Sequence, residues 1–163
     1  MFETRTSMGH LAARTLSLGA VAGIRSMSAP AQLSWAASHG RIDGIAKTPF
    51  APLASTRVSR LLTVLAVGEV LADKYSRAPN RVSAPGLFGR AASGALVGAA
   101  LFVSSGRQGK VGAALGLIAA VAASYPSYYL RVGLLARSNL PNWALGLLED
   151  AFAEGLGTLS LKK

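Results

Sequence analysis

Cysteine is absent from this chain, and acidic residues are scarce: seven Asp and Glu stand against seventeen Lys and Arg in 163 residues. Without cysteine there is no disulfide framework, no thiolate metal site and no thiol nucleophile. Charged residues of both signs make up 15% of the sequence, against about 25% in soluble domains. That shortage argues against a solvated globular fold. Walker and dinucleotide loops, a G-x-S-x-G elbow and an H-E-x-x-H helix are all missing. So is the strand alternation that a transmembrane β-barrel needs. The two histidines, His10 and His39, have no ligand-like neighbours and read as solvated or interfacial imidazoles.

What is present is apolar. Half of the chain, 51%, is hydrophobic, and the mean hydropathy is +0.39. The bias predicts an all-α, multi-span helical membrane bundle in one domain, residues 11–163, behind a cytosolic or interfacial tail, residues 1–10. Five apolar segments run over Leu11–Ala37, Val58–Tyr75, Leu87–Ser104, Val111–Leu135 and Asn142–Leu161. Each is near the ~20 residues that cross a ~30 Å hydrocarbon core as helix. The net charge of +10 comes from Lys and Arg that bracket these segments, as interfacial anchors do. Nucleic acid is therefore not an expected partner.

The segments carry their own punctuation. The first is interrupted between Gly23 and Pro30, and Pro126 is expected to kink the fourth. Ser138 or Asn139 caps the fifth, with Pro141 in its first turn. Gly19/Gly23, Gly94/Gly98 and Gly112/Gly116 are each four apart, so each pair lines one helix face and lets backbones approach closely in lipid. Trp35 and Trp143 fall near segment ends, where an amphipathic ring suits the interface. A weak internal repeat relates Leu18–Arg25 to Ile118–Tyr125, each followed by a proline and then by an acidic helix. With an odd span between them the halves would be inverted, the arrangement of many transporters.

Gly68-Glu-Val-Leu-Ala-Asp-Lys74, Gly94-Ala-Leu-Val-Gly98, Tyr129-Leu-Arg131 and Leu148-Glu-Asp150, with the Gly23–Pro30 element, resemble a family of small bacterial membrane proteins. It is catalogued as domain of unknown function 4126. The resemblance implies a multi-span membrane protein without an established activity, placed in a bacterial inner membrane. The composition of residues 1–25, rich in Arg, Ser and Thr, also fits an organellar transit peptide, which would place the protein in a mitochondrial membrane. The apolar run that continues beyond Pro30 favours a first membrane element.

Five of the seven acids lie inside apolar segments: Glu69 and Asp73 in one, Glu149, Asp150 and Glu154 in another. Ionisable groups there are costly and by default mark a functional site. Glu69/Asp73 and Asp150/Glu154 are four apart, so each pair shares a helix face. The two acidic stripes are expected to turn toward each other or toward a wet cleft, with Arg25 and Arg131 as countercharges. One reading is a cation, proton or small-solute path. Another is structural Arg–carboxylate pairing in a non-catalytic scaffold or assembly protein. A third takes Glu69, Asp73 and Lys74 as interfacial. Catalysis has thin support, although the carboxylates could hold a divalent metal, and no cofactor is implied. The expected partners are the lipid bilayer, a second copy of the chain, and a small cation or solute. Five spans would leave eight cations on each side, so the positive-inside rule gives no orientation.

Overall fold

The computed structural model describes residues 7–75, 82–137 and 141–162, without the side chains of residues 73–75 and 142. Six helices and no strand are found among them: α1 (Met8–Ile24), α2 (Ser28–Ser38), α3 (Thr56–Tyr75), α4 (Ala84–Ser104), α5 (Gly109–Arg137) and α6 (Asn142–Ser160). Two short 3₁₀ turns, Ile45–Lys47 and Ala51–Ala54, lie between α2 and α3. The Ser7 hydroxyl accepts from the His10 amide and caps α1. Leu11, Thr15, Leu18 and Ala22 then recur at helical spacing on its buried face. Pro30 sits in the first turn of α2, where its missing N–H has no intrahelical acceptor to lose. It therefore opens a helix rather than breaking one.

The first apolar segment does not form one broken span. Arg14 Nε donates to the Ser160 carbonyl at 2.8 Å, and Arg25 Nε to Asp150 at 2.7 Å. Thus α1 runs antiparallel to α6. Past the break the direction reverses, because Gln32 of α2 meets Glu154 at 2.7 Å. The segment is a helical hairpin with its tip at residues 25–27. The tip lies near the middle of the bundle. It touches Ser93, the tenth of 21 residues in α4, and Asp150, the ninth of 19 in α6. The hairpin is also the most enclosed part of the molecule: Leu18, Val21, Ala22, Ala29, Leu33 and Ala36 have no exposure.

Glycine lets α4 and α5 touch. A Cβ on Gly98 would strike the Gly112 carbonyl oxygen, and one on Gly116 the Gly94 carbonyl oxygen. The register of these pairs makes α4 and α5 antiparallel. Gly19 meets Gly116 and Gly23 meets Ala120, so α1 and α5 run the same way. That corrects the inverted repeat, whose halves begin in these two parallel helices. The kink expected at Pro126 does not interrupt α5, which continues through it. Hydroxyls of Ser124 and Ser127 bond carbonyls of the same helix around it, at 2.7 and 3.2 Å. Such local bonds help a helix tolerate proline away from water. Ser138 and Asn139 lie outside the described residues, and Pro141 is the N-cap position of α6.

One end of the bundle holds the start of α1, the connection over residues 39–55, the turn at residues 105–108 and the end of α6. Gly44, at φ +80°, packs against the Ser104 carbonyl there. This is the loop-rich end. The helices α4 and α5 are long and apolar enough to cross a membrane. Buried residues of α5 are confined to a stripe of Gly112, Gly116, Ala120 and Ser124, while Ile118, Tyr129 and Leu130 are at least 60% exposed. The outer faces of α3 and α6 are apolar too, through Leu61, Val64, Leu148 and Phe152.

Adding one methyl to this seam should be costly. Gly116→Ala is expected to destabilise the fold by about 1–3 kcal/mol through overpacking, read by reversible unfolding in detergent. Gly133→Ala, where a Cβ meets nothing within 4 Å, should be neutral or slightly stabilising.

Candidate functional site

Of the described acids in apolar segments, Glu69, Asp150 and Glu154 reach the hairpin, and Glu149 reaches Arg131 of α5. At its tip the chain leaves helix geometry for three residues, so amide groups lose their helical partners. Glu69, from α3, takes two of them. Its Oε1 accepts from the Ser26 amide at 3.1 Å and the Ser26 hydroxyl at 2.9 Å, and its Oε2 from the Met27 amide at 2.8 Å. A carboxylate at the start of α2 also faces the positive end of that helix. On the opposite side Ser93 of α4 donates to the Ser26 carbonyl, and Ser124 of α5 to the Gly23 carbonyl at 3.1 Å.

The arginines behave as paired groups. The Arg25 side chain is 3% exposed and meets Asp150, 16% exposed, at 2.7 Å. Arg131 reaches Glu149 at 2.8 Å. A Cβ on Gly146 would lie 3.8 Å from the Arg131 guanidinium and 4.0 Å from that of Arg25. Both guanidinium groups thus lie beside the same residue of α6, one turn before Glu149 and Asp150. Of the five acids and two arginines expected in one centre, the geometry pairs Arg25 with Asp150 and Arg131 with Glu149. The α6 stripe, Asp150 and Glu154, lines a groove shared with α3, whereas Glu69 of α3 turns to the hairpin backbone instead. Asp73 lies outside the described side chains.

Glu154 is the exception. It is exposed, and among the described residues its only hydrogen-bond donor is the Gln32 amide. It lines a groove of about 560 Å³ between α2, α3 and α6, whose walls include Ala31, Val67, Val70 and Leu71. The groove extends from Trp35, Arg41 and Leu161 at the loop-rich end to Ser28 and Asp150 beside the hairpin tip. Arg41 stacks its guanidinium 4.6 Å from the Trp35 ring centroid. Gln32 and Ser93 were not singled out in the sequence. The clue available was the shortness of the gap between Ile24 and Pro30, which forces neighbours to satisfy it.

Two further cations are enclosed. Arg90 is 7% exposed within α4, and Arg14 is half-buried against the end of α6. No group of three or more His, Asp or Glu suited to a metal occurs among the described residues. Of the histidines, His39 is exposed with Nδ1 2.8 Å from the Trp35 carbonyl, and His10 is exposed.

Compared with known protein families, residues 12–163 match the domain of unknown function DUF4126. The chain belongs to this family. No curated protein and no solved structure matches it. The DUF4126 match spans all six helices except the first four residues of α1, so the hairpin tip, the arginine–carboxylate centre and the groove all fall within it.

Breaking the centre should cost more than a surface pair. Arg25→Met or Asp150→Leu alone is expected to destabilise by about 3 kcal/mol, because the partner charge is left buried. The double variant should cost clearly less than the sum of the two, as read by a double-mutant cycle on detergent-solubilised protein. Glu69→Ala strands two amides and a hydroxyl and should cost about 1–3 kcal/mol.

Proposed function

We propose that this DUF4126 protein is an integral membrane protein that binds and passes a small solute or cation through the α2–α3–α6 groove. The observation that carries the reading is the re-entrant hairpin with a groove beside it that ends at its tip. Non-helical backbone at membrane depth is tolerated where it is buried in protein or lines a cavity. Discontinuous helices that meet near the midplane are the usual site of solute and ion binding in secondary transporters. Within that reading Arg25, Arg131, Glu69, Glu149 and Asp150 hold the hairpin, and Glu154 is the carboxylate free to meet a solute. Four helices cross the bilayer, α3 to α6, and the hairpin enters and leaves from the loop-rich end.

The competing reading is a non-catalytic membrane scaffold. The observation in its favour is that Asp150 and Glu149 are each closed off by an arginine. Flux separates the two. Proteoliposomes of the parent protein should move a solute from a broad panel, and Glu154→Gln should cut that flux at least tenfold while the protein stays folded. Absence of flux across the panel in the parent protein removes the transport reading and leaves the scaffold.

The hairpin also supports an orientation, which five spans left undecided. Arg41, Lys47, Arg57, Arg60, Arg107, Lys110 and Lys162 belong to the loop-rich end. Among the other described cations, Arg137 belongs to the opposite end. The positive-inside rule then puts the loop-rich end in the cytoplasm. A chain without cysteine allows a clean test. Ser105→Cys should react with an impermeant maleimide only after the membrane is opened, and Ala136→Cys in intact cells; the reverse pattern refutes the orientation.

A further inference from the structure

We propose that the α2–α3–α6 groove takes a small zwitterion with an apolar body, the chemistry of an apolar α-amino acid. The inference rests on the solute-binding reading above and names the class of solute. Among the described residues the groove presents one cation and one anion that have no ion-pair partner. Arg41 is held only by its stack on Trp35, and Glu154 only by the amide of Gln32. Gln32 and Trp35, the residues that hold them, are three apart on α2, a rise of about 4.5 Å. The two side chains that hold the opposite charges therefore stand about one helical turn apart on α2. A simple cation would meet Glu154 but be repelled at Arg41, and a simple anion the reverse. A molecule carrying both an ammonium and a carboxylate satisfies both.

The remaining walls are mainly apolar: Ala31, Val67, Val70 and Leu71 stand beside the smaller hydroxyl groups of Ser28, Thr63 and Thr158. They suit an aliphatic body between or beside the charged groups. A volume of about 560 Å³ lies in the range of small-molecule sites. Asp150, at the inner end, is already neutralised by Arg25 and does not add a second free negative charge. In this arrangement the ammonium sits on Glu154, the carboxylate on Arg41, and the side chain points along the aliphatic wall toward the hairpin tip.

Trp35 lines the groove and reports on it. In a Trp143→Phe background it is the sole tryptophan of the full-length chain, which is titrated in detergent at neutral pH with three probes. L-Leucine should shift Trp35 fluorescence saturably. 3-Methylbutylamine, which lacks the carboxylate, and 4-methylpentanoate, which lacks the amine, should each bind about tenfold more weakly. Glu154→Gln should weaken leucine about fivefold or more and leave 4-methylpentanoate unchanged. Arg41→Gln should weaken leucine similarly and leave 3-methylbutylamine unchanged, read from midpoints because the baseline of Trp35 will move. Equal affinity for leucine and either analogue on the parent protein overturns the proposal, whatever the variants do. So does no response to any probe. If flux of another solute then persists and depends on Glu154, the transport reading survives without the zwitterion; if binding follows the expected pattern without flux, the zwitterion site stands and the transport reading falls.

Discussion

A chain that reverses inside a helical bundle exposes amides and carbonyls where no water competes for them. The whole arrangement answers that constraint. The three-residue turn at Arg25–Met27 is bonded from α3 by Glu69, from α4 by Ser93 and from α6 by Asp150, and Ser124 of α5 bonds the Gly23 carbonyl just before it. Each of the four surrounding helices contributes a side chain to the turn or to its approach. The scarcity of acids in the sequence follows the same logic. Each carboxylate kept in the apolar interior has a donor to meet, so few are retained, and those few carry interhelical bonds. An uncompensated carboxylate there would shift toward its neutral form or force the helices apart.

Packing makes this polar centre reachable. Polar contacts of a few tenths to about 2 kcal/mol each cannot hold long helices together unless the backbones are already close. The glycine stripe of α4 and α5 supplies that closeness, and Gly19 and Gly23 extend it to α1. The serines at 93 and 124 can then reach across to the hairpin backbone. Small residues in the seam and hydroxyls at the tip are two parts of one solution.

The sequence made some of this legible. Glycines four apart announced faces of close approach, and they are the α1–α4–α5 contacts. Carboxylates amid Ala and Leu announced partners, and Arg25 and Arg131 are among them. What it concealed was direction. Pro30 and Pro126 look alike in an apolar run, yet one begins a helix and the other sits within one. The difference lies in context: Ser26 and Ser28 precede Pro30 in a short gap that Glu69 can bridge, while Pro126 lies amid serines that bond their own helix. Nor could the first segment reveal its reversal by hydropathy, since a hairpin and a span have the same composition. Its length was the overlooked sign: Leu11–Ala37 as a single helix would be about 40 Å, more than a bilayer core requires.

The Arg25–Asp150 pair joins residues 125 positions apart in the chain. The guanidinium is made early, and its carboxylate belongs to the last helix. At ribosomal speeds of about 5–20 residues per second, the arginine waits roughly 6–25 s for its partner to be synthesised. During that interval the hairpin can already pack on α3, α4 and α5, but its arginine lacks the carboxylate that it meets in the finished fold. A chain that stops short of α6 therefore leaves a buried cation without its counterion.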